Sequence, residues 1–280
     1  MNSITFECEI ITPMFLAGVD GKAPELRPPS IKGMMRFWWR AIKAENNIEK
    51  LGKEEGKLFG SSDEKIGKSK FLVRIIANNL TAGDFSPVPH RTKKFEFKGF
   101  NAGQRFSIII SGKDDITNFK IIYELSVLLG GLGKRSRRGF GSVHCESWNF
   151  TNNNGLIQFI LNKLNSIQND FCIKDMKIFR KASPKANYPF IREISLGKPE
   201  KDPFDLLTKI GNASHQYNDP SLGYAGKISG NPIRMASPIY VSIAKLGNEF
   251  IPIITTLNSA FPSSYPSCNM QKQQQFRGSI

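Results

Sequence analysis

The chain has 280 residues, 40% of them hydrophobic, and its 39 Lys and Arg against 24 Asp and Glu give a net charge of +15. That length suits about two domains with a substantial core, and the positive excess points to polyanionic partners without specifying a fold. No apolar run approaches the ~18 residues of a membrane span. The alternating start Ile4-Thr5-Phe6-Glu7-Cys8 is not the pattern of a secretory signal. Cys8, Cys145, Cys172 and Cys268 lie far apart with no CxxC pair, so neither a disulfide framework nor a zinc site is expected. A reducing, cytoplasmic setting is the expectation that follows.

In chain order, Ile4, Phe6, Cys8 and Ile10 alternate with polar residues and predict a strand with one buried face. Residues 12 to 29 read as a loop, after which Ser30 is expected to cap a helix from Ile31 to about Ala44. Further strands are predicted over Phe71 to Ala77 and Arg105 to Ser111, then a helix from Ile116 to Leu129, then a strand from Phe140 to about Trp148. The order strand, helix, strand, strand, helix, strand is that of ferredoxin-like folds, a four-stranded antiparallel sheet with helices on one face. The open face of such a sheet commonly meets RNA.

Asn152-Asn153-Asn154-Gly155 reads as a linker, dividing the chain into residues 1–150 and 151–280. Beyond it a helix is predicted over Leu156 to Ile167, short strands near Met176 to Phe179 and Phe190 to Leu196, and a helix near Phe204 to Ile210. Strands over Pro238 to Ala244 and Phe250 to Thr256 pair around Leu246-Gly247-Asn248. The fold class expected is α+β, two ferredoxin-like modules of which the second is degenerate. The tail with Gln271 to Gln275 is polar and expected to be poorly ordered.

Two constellations carry chemistry. The first is Gly131-Leu132-Gly133-Lys134-Arg135-Ser136-Arg137-Arg138-Gly139-Phe140-Gly141, in which four cations occupy five consecutive positions between a helix and a strand. Gly131, Gly133 and Gly139 permit positive φ and close approach to a ligand, while Lys134, Arg135, Arg137 and Arg138 suit phosphate oxygens. A basic helix cap would need only one or two cations. The order GxxxxGK[ST] is absent and the flanking elements are reversed, so this is no nucleotide-binding P-loop. The second is the helix itself. Ile31, Met34, Met35, Trp38 and Ile42 share one face, and Lys32, Arg36, Arg40 and Lys43 form a stripe with no acid until Glu45. Trp39 borders the stripe as a possible stacking surface, although a charged face opposite a buried one is also what any amphipathic helix shows.

Catalytic candidates are few. Asp20, in the turn Gly18 to Lys22 that precedes Arg27, could serve as a catalytic acid or metal ligand, but most aspartates so placed simply satisfy turn hydrogen bonds. His90, His144 and His215 are far apart and form no ligand-spaced pair, so no acid–base centre is legible. No cofactor or metal is expected.

With these residues in view, the eleven positions from Gly131 to Gly141 match the signature of the RAMP superfamily of CRISPR-associated proteins: glycine–hydrophobic–glycine, five residues, glycine–hydrophobic–glycine. Glu25 to Gly33, with its Arg-Pro-Pro-Ser core, and the continuation Arg36 to Ala41 resemble more narrowly the family of subunit one of the Cmr (type III-B) effector. Thr12 to Gly18, Leu58 to Ser61 and Arg234 to Pro238 also fit it. The resemblance implies two RAMP-type domains and no catalytic activity of this subunit. It also implies binding of guide RNA or target RNA near the 3′ end of the guide, beside other Cmr subunits and away from any membrane. It adds Arg27 and Arg234 to the candidate RNA-binding set. Target cleavage in such complexes is attributed to backbone subunits through an aspartate after the first strand, an activity that does not carry over to Asp20. A metal-independent endoribonuclease and a protein-binding adaptor are the rival readings.

Overall fold

The computed structural model describes residues 1–90, 95–228, 230–262 and 264–280. The first half runs β1 (Asn2–Ile10), α1 (Pro28–Lys43), α2 (Ile48–Phe59), β2 (Phe71–Ile76), a hairpin of β3 (Ala82–Phe85) and β4 (Phe97–Phe100), β5 (Arg105–Gly112), α3 (Thr117–Gly130) and β6 (Val143–Cys145). Four strands pair antiparallel in the order β2–β5–β1–β6, the βαββαβ arrangement with one helix and one hairpin inserted. Period-two alternation turns Phe6, Cys8 and Ile10 of β1, and Phe106, Ile108 and Ile110 of β5, onto one face. There they meet Ile31, Met35, Trp38 and Ile42 of α1 and Ile122, Leu125 and Leu129 of α3.

The second half comprises α4 (Asn153–Ile167), β7 (Phe171–Lys174), β8 (Lys177–Arg180), β9 (Ile191–Leu196) and α5 (Pro203–Gln216). It continues with a hairpin of β10 (Tyr224–Ile228) and β11 (Asn231–Met235), β12 (Ile239–Leu246), β13 (Glu249–Leu257) and α6 (Met270–Gly278). Its sheet is ordered β12–β13–β9–β8–β7 and is antiparallel throughout. The succession β9, α5, β12, β13, α6 repeats the first five elements of the module. The fourth-strand position beside β9 is filled by β8, which precedes β9 in the chain. That is the physical content of the degeneracy.

Several boundaries differ from those expected. Helix α1 begins at Pro28, with Arg27 as an N-cap that offers no side-chain bond, in place of a Ser30 cap. Two prolines fit a first turn because its amides need no intrahelical acceptor. The supposed linker starts a helix: the Asn152 side chain accepts from the Gly155 amide and caps α4. Strand β6 covers three residues only, because Gly139 and Gly141 both hold positive φ and break the ladder before Val143. The tail is not disordered. It forms α6, with Phe276, Gln273 and Ile280 buried.

The two halves share apolar contacts. One buried cluster runs from Phe6 and Trp38 through Ile160 and Ile194 to Ile253. A second gathers Phe15 and Phe140 from the first half with Ile210, Val241, Ile243 and Phe276 from the second. β12 lies along this seam, where the Ser242 hydroxyl donates to the Leu128 carbonyl at the end of α3. No described helix is long and apolar enough to cross a membrane.

Candidate nucleic-acid interface

The segment Gly131–Gly141 leaves α3 and is tied down along its length. Leu132 donates its amide to Gly141 O at 2.8 Å, Lys134 to Phe15 O at 2.9 Å, and Gly141 to Pro13 O at 3.0 Å. The Thr12 hydroxyl donates to Gly139 O at 2.6 Å. Glycine is required where these backbones cross. A Cβ at Gly133 would stand 2.5 Å from Phe15 O, and one at Gly141 would stand 1.9 Å from Leu132 O. Leu132 and Phe140 are buried anchors, so the basic stretch between them is held out as a short 3-10 turn over Ser136–Arg138.

Its four cations have different surroundings. Lys134 is exposed, donates to Gly21 O at 3.3 Å and sits 5.5 Å from the Phe97 ring centre. Arg135 donates Nε–H to Pro87 O at 3.0 Å. Arg137 lies 4.5 Å over the ring of Tyr240, and its buried Nε has no acceptor among the described residues. Arg138 is spent internally: it donates to the carbonyls of Arg137, Ile239 and Leu222 and stacks over Phe276. Burial, with the charges of Arg135 and Arg137 adding to it, pushes Arg138 down to about 9, so it remains a cation at neutral pH. Among the described residues none of the four pairs with a carboxylate. Beside them opens a cavity of about 400 Å³, walled by Arg135, Arg137 and Arg138 from the first half and by Leu222, Ser237 and Tyr240 from the second. Unpaired positive charge around a partly apolar cavity favours an anion with a flat apolar portion, which is the chemistry of a nucleotide.

The α1 stripe is placed otherwise. Lys32 donates to Ser69 Oγ and Phe71 O and lies over the Phe71 ring; burial lowers its pKa. Arg36 donates to Phe59 O at 3.0 Å and Gly60 O at 2.6 Å and pairs with Glu55. Arg40 grips both oxygens of Glu55 at 2.9 and 2.8 Å, and Lys43 pairs with Glu54 at 3.5 Å. Arg36, Arg40 and Lys43 therefore fasten α2 to α1, and Lys32 ties α1 to the start of β2. Trp39 is only 4% exposed and packs edge-on against Phe59, so it offers no stacking surface. Arg27 is partly exposed, 4.0 Å from Glu25. Arg234 lies on the exposed face of the β10–β11 hairpin, two residues before Ala236 in the cavity wall.

Residues 7–144 match the model of the RAMP superfamily. The chain is 33% identical over 181 residues to CRISPR system Cmr subunit Cmr1-2 of Pyrococcus furiosus, covering 51% of this chain and 95% of that protein. The chain belongs to the Cmr1 family of the RAMP superfamily. With Cmr subunit Cmr1-1 of the same organism it shares 28% identity over 295 residues, covering 87% of this chain and 84% of the relative. The fold of the crystal structure of Cmr1 from Pyrococcus furiosus in its apo form superposes with a TM-score of 0.66 at 18% identity, over 99% of this chain and 96% of that one. A chain from the cryo-EM structure of the type III-B Cmr-beta complex bound to cognate target RNA superposes at 0.62 and 13% identity, over 98% of each.

Asp20 accepts from the amides of Lys22 and Ala23, which lower its pKa, and so closes its own turn. His144 points from β6 to the outer face beside Glu9, Lys245 and Trp148, and burial followed by Lys245 lowers its pKa. His90 and His215, 125 positions apart in sequence, stack with ring centres 5.6 Å apart, a pairing that no local spacing signals. Tyr240 also escaped sequence reasoning. Its only signal is its place on a predicted strand just after the Arg234–Pro238 stretch. The outer face of the first sheet carries Ser3, Thr5 and Glu7 on its central strand, with Glu7 accepting from Ser107. Strands β1 and β5, the two central ones, present no aromatic side chain on that face, so they lack the stacking surface of an RNA-binding sheet.

Proposed function

We propose that the chain is a non-catalytic, RNA-binding subunit of a type III-B CRISPR (Cmr) effector, acting in the cytoplasm and holding guide or target RNA near the 3′ end of the guide. The observation that carries this reading is the glycine loop: four cations in five positions, none paired with a carboxylate among the described residues, beside a cavity lined from residues 1–150 and 151–280 together. We take those two ranges as the two modules that meet there. Lys134, Arg135 and Arg137 hold phosphates, and Arg138 stiffens the loop. Arg27 and Arg234 border the path, whereas Lys32, Arg36, Arg40 and Lys43 serve the fold. The family and a similar fold from a target-RNA complex support this assignment.

The test is the salt dependence of single-stranded RNA affinity. On a single strand each neutralised phosphate contributes a slope of about 0.7 in log affinity against log salt. The triple substitution Lys134→Ala, Arg135→Ala, Arg137→Ala is expected to lower affinity and reduce that slope by about 2. An unchanged slope contradicts the reading.

The pairing of His90 with His215 favours one alternative, a metal-independent endoribonuclease in which two imidazoles act as acid and base. Incubating the purified chain with end-labelled RNA and a chelator separates the two. Intact RNA supports the binding subunit; cleavage abolished by His215→Asn establishes the enzyme.

A further inference from the structure

A second cavity, of about 350 Å³, lies on the other flank of the glycine loop, between the turn after β1 and the β3–β4 hairpin. Phe15 and Phe97 line it together with Lys22, Lys98 and Lys134; Asp84 and Glu96 also border it. Phe97 is part of an aromatic row. Phe140, the buried anchor of the loop, is 5.0 Å from Phe15, Phe15 is 5.5 Å from Phe97, and Phe97 is 4.9 Å from Phe95. The row ends in solvent, because Phe95 is 57% exposed. A largely exposed phenylalanine packed against Phe97, which lines a cavity with three lysines, belongs to neither buried cluster.

Lys134 belongs to this second cavity and Arg135, the next residue, to the first. The loop is thus a ridge with a basic, aromatic-lined hollow on each side, Tyr240 under Arg137 in one and Phe97 under Lys134 in the other. We infer that Phe95 and Phe97 form a base-stacking platform for single-stranded RNA that crosses the ridge, one nucleotide resting on each side and the intervening phosphates on Lys134 and Arg135. This rests on the RNA-binding reading of the loop and adds to it a site on the hairpin. Stacking on an aromatic face tolerates any base, and lysines around the ring suit the flanking phosphates.

The test uses the full chain and oligouridine carrying one 2-aminopurine, moved stepwise along the strand. Wild-type protein is expected to quench the fluorophore strongly at two nearby positions. Phe95→Ala is expected to lose one of the two quenched positions and to weaken binding roughly 5- to 100-fold, the worth of one stacked base. Its salt slope and thermal midpoint should stay unchanged, since Phe95 is exposed and touches no phosphate. Phe95→Tyr is expected to restore both quench and affinity. Retention of both quenched positions and of affinity in Phe95→Ala would overturn the inference and leave Phe95 to face a neighbouring protein. Loss in Phe95→Tyr as well as in Phe95→Ala would also overturn it. If only the reading of the loop is wrong, the signature differs: the Lys134, Arg135, Arg137 variant keeps the wild-type slope, whatever Phe95 does.

Discussion

Arg135 holds a left-handed backbone, φ 64°, between glycines that do the same. A non-glycine residue in that region is strained by about 1–3 kcal/mol, and such strain collects where a side chain must be aimed. The neighbouring contacts fix it: Gly141 and Leu132 clasp the ends of the loop and Pro87 receives the guanidinium. Gly141→Ala is expected to cost about 2–4 kcal/mol, since a left-handed alanine is added to an overpacked crossing. Chemical denaturation checks this, and a loss below ~1 kcal/mol would mean the crossing is loose. His144 sets a second expectation. Its folded pKa lies below the ordinary 6.5 because burial and Lys245 disfavour the imidazolium. Between those two values the unfolded chain binds a proton that the folded chain refuses, so this contribution is intact above pH 6.5 and is lost as pH falls below it. The fall in thermal midpoint from pH 7 to pH 5 should be shallower in His144→Gln; equal falls would refute the assignment. At this scale the loop was legible because its signal is local, glycines and cations at fixed spacing. The fate of Arg138 was not, since two of its three acceptors lie 84 and 101 positions away.

Among elements, α1 and α2 show where local patterning stops. A basic stripe without a nearby acid looks like a nucleic-acid face until the next helix supplies Glu54 and Glu55. Two glycines and a sparse apolar pattern in Ile48–Phe59 hide that helix from periodicity. Strands β1, β2, β5, β8, β9, β12 and β13 and helices α1, α3, α4 and α5 were readable, because alternation and 3.6-residue spacing survive where one face is buried, whereas the short strands β3, β4, β7, β10 and β11 were not expected. Helix α6 was not, because its buried side is only Gln273 and Phe276 in an otherwise polar run. Glu55→Gln is expected to destabilise the chain by about 1–2 kcal/mol, less than for a fully buried pair because both arginines reach solvent. It should leave the RNA salt slope intact. A reduced slope would return the stripe to the RNA site.

For the whole molecule, internal ion pairs leave the net charge of +15 unchanged, and the unpaired cations of the loop lie at the seam between two sheets. The seam could not be read from sequence, since β12 meets the loop only once the second sheet is folded against α3. Under the proposed function, positive charge there would hold a strand without reading its bases. The most direct measurement is photocrosslinking of 4-thiouridine RNA to the chain within an effector particle, with adducts mapped by mass spectrometry. Adducts are expected on residues 134–137 and on Tyr240. Adducts confined to α1 or to the outer face of the first sheet, with none on the loop, would contradict the account.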